Sequence, residues 1–152
     1  MPMGGAAGSF AVIAGTLLAT GLCVMLHYEG LYRMWRYAHG HTTHGRRQPV
    51  QVLMAIFGVM VLHMLQIVIF GTVWWGLLQF PGTGSVAGIV HLKWHGALFL
   101  SSLSYTSLGF DTLVPMGAVR ILASVEALTG LVLVAWSASF AFLLMQRHWR
   151  TE

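Results

Sequence analysis

The chain has 152 residues, of which 57% are hydrophobic and only 8% charged, with a formal net charge of +4. Soluble domains ordinarily carry about a quarter charged residues, and so little polar surface would not cover a core of this size. The composition therefore excludes a soluble domain and points to an integral membrane protein. Most basic residues fall in two short blocks, 33–47 and 147–150. Such blocks read as flanks of membrane spans, not as a nucleic-acid surface. The single cysteine, Cys23, lies in an apolar run and reads as a packed thiol, with no intrachain disulfide available.

The first apolar run, from about Ser9 to Leu26, is long enough to cross a bilayer. It has no positive n-region, so it reads as a span and not as a cleaved signal. A polar, aromatic and basic stretch follows, expected as a loop over 28–49, in which Tyr28, Tyr32, Trp35 and Tyr37 suit the headgroup region. The second run extends from about Val50 and ends in the Trp74–Trp75 pair, with Pro81-Gly82-Thr83-Gly84 as a turn after it. The third runs from about Ala118 to Met145 and closes in Gln146-Arg147-His148-Trp149-Arg150. Arg33, Arg36, Arg46, Arg47, Arg147 and Arg150 then share one side, and Lys93 and Arg120 the other. The positive-inside rule places the N-terminus outside and the C-terminus in the cytoplasm.

Residues 86–108 fit neither class. They are moderately apolar, yet His91, Lys93, His95 and several serines interrupt them. A further crossing would also put the C-terminal basic block outside. A helix that enters partway and returns as irregular backbone satisfies both constraints. Such backbone is tolerated at membrane depth only where protein buries it or where it lines a watery cavity.

The stretch from Ala97 to Arg147 resembles the pore module of small bacterial potassium-channel-like proteins. That family's pore helix ends Y-F-S-x-x-T-Y-T-T-L-G-Y-G-D, and its inner helix continues W-R-L-L-G-x-L-E-A-L-x-G and then W-S-T-A. Here the sequence reads Phe99-Leu100-Ser101-Ser102-Leu103-Ser104-Tyr105-Thr106-Ser107-Leu108-Gly109-Phe110-Asp111-Thr112, then Val119-Arg120-Ile121-Leu122, Glu126-Ala127-Leu128-Thr129-Gly130 and Trp136-Ser137-Ala138. The resemblance implies an all-α membrane protein with three transmembrane helices plus a re-entrant pore helix and filter loop, assembled as a potassium-channel-like tetramer. It divides the chain into an N-terminal span and basic loop over 1–49 and a pore module over 50–152. Within that module it implies an outer helix over 50–79, a pore helix over about 88–106, a filter over 107–111 and an inner helix over about 117–147. It implies a passive, homotetrameric cation channel in a bacterial inner membrane, with no catalysis, no cofactor and no nucleic-acid partner. The lipid bilayer and permeant K+, or Na+ or Ca2+, are its partners, and no metal beyond these cations is implied.

By this register Ser107-Leu108-Gly109-Phe110-Asp111 stands where potassium channels have Thr-Val-Gly-Tyr-Gly, with Thr106 just before it. Backbone carbonyls of such a filter replace the ion's hydration shell, and the Ser107 hydroxyl is expected at the innermost ion site. The second filter glycine is replaced by Asp111. Four such carboxylates would form an acidic ring favouring cations, and a hard divalent ion suits oxygen ligands there. Three outcomes stay open: a poorly selective pore, one that admits or is blocked by divalent cations, and a non-conducting one.

Glu126 and Gly130 lie one turn apart within the third span. Glu126 either faces the cavity, braces the filter from behind, or makes an ordinary structural hydrogen bond; Gly130 is a gating hinge or a close-packing point. His63 and Gln66 are expected to hydrogen-bond across helices, with Glu126 as a candidate partner; the alternative is that His63 titrates as a pH sensor. Phe140, Phe142 and Leu144 are candidates for a hydrophobic constriction or for packing. The eight histidines raise a second class, a haem-binding redox subunit ligated by His63 and a near-interface His27. A third is a structural or regulatory protein with a channel fold and no flux. His91 and His95 read as outer-surface residues, and His39, His41 and His44 as a solvated cluster.

Overall fold

The computed structural model describes residues 3–40, 48–88, 93–109 and 113–149. Among these the order is α1 (Met3–Gly40), α2 (Gln48–Leu77), β1 (Ser85–Ala87), α3 (Trp94–Tyr105), β2 (Val114–Met116) and α4 (Val119–Trp149). Three helices are long and apolar enough to cross a membrane, over Gly5–Ala38, Val50–Leu77 and Val119–Gln146. Many of their large apolar side chains, such as Phe10, Leu18, Phe57, Met64, Leu128 and Leu131, are exposed. A bilayer is the solvent that such a surface requires.

The first helix differs from expectation. The basic stretch after Leu26, expected as a loop, continues α1 without a break to Gly40. The reason is local. Glu29 and Arg33 pair at i,i+4 across 2.7 Å. The Tyr28 and Tyr32 rings stack at 6.2 Å, and the Arg36 guanidinium lies 5.8 Å from the Tyr32 ring centre. Pairs at this spacing support a helix whatever its polarity. At 1.5 Å per residue α1 is roughly 57 Å long, against about 30 Å of hydrocarbon, so it projects well beyond a bilayer.

Contacts between helices set their directions. A Cβ added at Gly15 would touch Val73 and Leu77, one at Gly30 would meet Leu62, and one at Gly58 would meet Met34; α1 and α2 are thus antiparallel. Trp74 meets Glu126 and His63 meets Ser137, so α2 and α4 are antiparallel too. It follows that α1 and α4 run parallel, and His27 lies near Ser137 while Trp35 packs on Phe140. A Cβ at Gly8 would run into the Gly82 backbone. The start of α1, the turn after α2 and the start of α4 therefore share one end of the bundle.

The re-entrant expectation has a direct counterpart in the backbone. β1 pairs antiparallel with β2, with Ser85 opposite Met116, Val86 opposite Pro115 and Ala87 opposite Val114. Val119 N–H also donates to the Thr83 carbonyl at 3.1 Å. The ladder brings the two ends of the 88–113 segment together, so that segment leaves and returns at the same end. Its helix begins at Trp94, later than the 88 expected from sequence. Gly88 has φ +93° and Lys93 is extended (φ −74°, ψ 159°), so neither continues a helix backwards. One apolar cluster, including Phe70, Trp74, Leu100, Tyr105, Leu122 and Leu133, packs α2, α3 and α4 together with Val12, Ala19 and Cys23 of α1.

Candidate functional site

The hydroxyl-rich sequence of α3 divides by face. Ser101 and Ser104 point back into the protein: Ser104 Oγ donates to the Ala123 carbonyl at 2.8 Å, and Ser101 Oγ lies 2.9 Å from the Ile67 carbonyl oxygen. Ser102 and Thr106 instead satisfy their hydroxyls locally, on the carbonyls of Phe99 and Ser102. The first pair anchors α3 to its neighbours, and the second leaves the opposite face free of helix partners.

Glu126 is fully buried and holds α3 from behind. Trp74 Nε1 donates to its Oε2 at 2.7 Å, and Ser101 Oγ lies 2.5 Å from its Oε1. A buried carboxyl group is tolerated where hydrogen bonds satisfy it. His63 and Gln66 do not take part in this arrangement. They lie two to three turns away along α2, where Trp74 is the residue level with Glu126.

Instead, His63 and Gln66 belong to a second polar cluster. His63 Nδ1 is 2.8 Å from Tyr105 Oη and 3.1 Å from Gln66 Oε1, and its Nε2 is 3.0 Å from Ser137 Oγ. Tyr105 Oη donates to Gln66 Oε1 in a short bond. Gln66 Nε2 is 3.0 Å from His27 Nδ1, and His27 Nε2 is 3.3 Å from Ser137 Oγ. His27 is fully buried, and α1 continues beyond it to Gly40. This geometry does not suit haem. The two imidazoles pack directly, with ring centres 5.4 Å apart, so no porphyrin plane fits between them, and all their ring nitrogens already have side-chain partners. Among the described residues no group of three or more His, Cys, Asp and Glu side chains is placed to hold a metal.

After Tyr105 the backbone turns sharply. Ser107 N–H donates to the Ser104 carbonyl at 3.0 Å and Leu108 N–H to the Leu103 carbonyl at 3.1 Å. These two bonds form a Schellman motif, which requires a left-handed residue at the position of Ser107. Ser107 has φ +56°, a conformation uncommon outside glycine. Leu108 is not left-handed, and Gly109 is again, at φ +87°. The sign of φ therefore alternates over residues 107–109. Thr106, Ser107, Leu108 and Gly109 are all exposed, Leu108 by 77%. Phe110 and Asp111 lie outside the described residues.

Gly130 lies against the Tyr105 carbonyl, and a Cβ there would collide with it. The close approach of α4 to the end of α3 therefore requires glycine. Phe140 and Leu144 are buried with Leu31, Ala55 and Leu62 and pack within the chain, whereas Phe142 is exposed. His95 is exposed. His91, His41 and His44 lie outside the described residues, and of His39 the helical backbone alone is described. Sequence reasoning did not give Trp74, Ser101, Tyr105, Ser137 and buried His27 their roles. The available signal was a set of polar groups within apolar runs, each requiring a partner.

A bundle of three spanning helices around a short re-entrant helix, closed by a two-stranded ladder, defines a multi-pass membrane protein with the layout of a pore module. The ion-channel family model matches residues 52–147, and the chain belongs to that family. No curated protein and no solved structure matches it. The whole of α1 precedes the matched residues.

Proposed function

We propose that the chain is one subunit of a homotetrameric, passive cation channel whose ion path is lined by residues 106–111. The observation that carries this reading is the exposed turn at 106–109. It is fixed from behind by buried polar groups and turned outward with φ alternating in hand. One such segment does not encircle an ion, and a closed cyclic assembly completes the site. The C-terminal end of α3 adds to this, since the carboxyl end of a helix carries partial negative charge and favours a cation.

By sequence register, Asp111 stands at the outer mouth in place of glycine. Four carboxylates there would enrich cations and alter selectivity relative to a glycine filter. K+, Na+ and Ca2+ are the permeant candidates. The basic residues of 33–47 and 147–150 assign the C-terminal ends of α1 and α4 to the cytoplasm and the N-terminus to the outside.

The test is cation flux from proteoliposomes under separate K+, Na+ and Ca2+ gradients, for the native chain and Asp111→Gly. Native flux with selectivity altered by the substitution supports the reading. Flux only after the substitution assigns Asp111 as a closure of a competent pore and favours the non-conducting alternative for the native chain. No flux from either, in a verified folded tetramer, overturns the channel reading.

A further inference from the structure

The cluster of His27, Ser137, His63, Tyr105 and Gln66 is a closed ring, and every helix of the fold contributes to it. His27 comes from α1, His63 and Gln66 from α2, Tyr105 from α3 and Ser137 from α4. Donors and acceptors can be counted around it. Tyr105 Oη donates to Gln66 Oε1, and Gln66 Nε2 donates to His27 Nδ1. His27 Nε2–H then faces Ser137 Oγ, the Ser137 hydroxyl faces His63 Nε2, and His63 Nδ1–H returns to Tyr105 Oη. The ring closes head to tail, with one proton on each link and one ring proton on each histidine. Such circuits polarise their members cooperatively. Gln66 and His27 are fully buried, Tyr105 and Ser137 nearly so, and His63 is half-buried beside an apolar pocket, so the His27 side of the ring is closed by protein.

Tyr105 is the last residue of α3, and the turn at Ser107 starts immediately after it. Its hydroxyl is held by the Gln66 amide and His63, and the far side of that amide is held by His27. Removing His27 leaves Gln66 Nε2 without its acceptor and Ser137 without one of its two imidazole partners. The Gln66 amide then keeps only its Oε1 contacts with Tyr105 and His63, and Tyr105 loses the brace behind one of its two partners. The other four members lie within residues 52–147, the part of the chain matched by the family model; His27 alone lies outside it.

We propose that His27 is a positioning residue for the 106–109 segment, acting through Gln66 and Tyr105. The first helix is thereby a working part of the ion path's support, not an added anchor. This rests on the reading of 106–111 as the ion path, but the coupling is measurable without conduction. The experiment is amide hydrogen exchange on the full-length protein in lipid nanodiscs, comparing native, His27→Ala and His27→Gln. Glutamine offers an acceptor and a donor at opposite ends of one amide, as the imidazole does.

The amides of Ser107 and Leu108, bonded to Ser104 and Leu103, are expected to exchange roughly tenfold faster in His27→Ala, the factor that losing about one buried hydrogen bond gives. The Val119–Glu126 part of α4 should exchange as in the native protein, and His27→Gln should restore most of the protection. Native exchange at 107–108 in a folded His27→Ala protein would overturn the proposal. So would a uniform rise across α2, α3 and α4, which marks a packing role alone. Should His27→Ala fail to fold, His27→Asn, polar but too short to bridge both neighbours, takes its place with the same expectations. Absence of flux in the native protein would count against the channel reading and leave this result standing.

Discussion

The indole N–H of Trp74 donates to Glu126 across 2.7 Å, joining α2 to α4 directly behind the re-entrant helix. Ser101 of α3 lies 2.5 Å from the other carboxyl oxygen. One buried side chain thus ties the outer, re-entrant and inner helices at a single level. Glu126→Ala leaves the indole N–H and the Ser101 hydroxyl without this partner in a site closed to water. The expected loss is about 1–3 kcal/mol, the cost of one unsatisfied buried group, because Ser101 still has the Ile67 carbonyl and the indole N–H has no second acceptor. Glu126→Gln keeps the volume and a carbonyl oxygen for Trp74 and should cost clearly less. Thermal unfolding of the purified variants in one detergent checks the order, and equal losses would show that shape, not hydrogen bonding, sets the role of Glu126.

Gly130 supplies a steric prediction with an internal control. A methyl group there meets the Tyr105 carbonyl, whereas one at Gly21 meets nothing within 4 Å. Gly130→Ala should destabilise by about 1–3 kcal/mol, the usual cost of overpacking. Gly21→Ala should be neutral or stabilise by up to about 1 kcal/mol, because alanine is the better helix former. If the two substitutions have the same effect on the melting temperature, α4 does not approach Tyr105 as closely as described.

Ser107 occupies the left-handed position of the Schellman turn at φ +56°. Ser107→Gly removes the Cβ penalty there and should stabilise the turn by about 1 kcal/mol. Ser107→Val should destabilise by more than that, since β-branched residues avoid this region. The measurement is the unfolding temperature of each variant alongside its cation flux. If the Ser107 hydroxyl faces the ion, the glycine variant will be more stable and transport less well.

Much of this architecture was legible in the chain because apolar length is a local property. The runs around Ser9–Leu26, Val50–Leu78 and Ala118–Met145 each mark a spanning helix, the first of which extends well beyond its run. The interruption by Lys93, His95 and the pore-helix serines marked the segment that does not cross. The extension of α1 to Gly40 was not legible by that measure, because Glu29, Arg33 and Arg36 support the helix through side-chain pairs, not apolarity. The polar ring was half legible. His63 and Gln66 in an apolar run announce a need for partners, but those partners lie far along the chain, at His27, Tyr105 and Ser137. Only the packing of four helices brings them together. The pairing of Glu126 with Trp74 was hidden for the same reason, since an indole in a Trp–Trp pair reads first as an interfacial anchor.

The ladder between β1 and β2 supplies the last prediction. Ser85 and Met116 are directly opposite in an antiparallel pair, and such residues have Cα atoms about 4.5–5.5 Å apart, within the range of a disulfide. The only native cysteine, Cys23, is buried and does not compete. Ser85→Cys with Met116→Cys should therefore oxidise rapidly to an intrachain bridge. The closed loop of the re-entrant segment would then migrate faster on a non-reducing gel, and reduction would reverse the shift. A Ser85→Cys and Val114→Cys pair, displaced by one register step on the same face, should react more slowly. A re-entrant segment requires its two ends at the same end of the bundle, and a crossing segment places them on opposite sides of the membrane. Efficient bridging at 85 and 116 is consistent with the first arrangement only. Failure to bridge in a folded protein would remove the ladder and with it the structural basis for a loop that enters and returns.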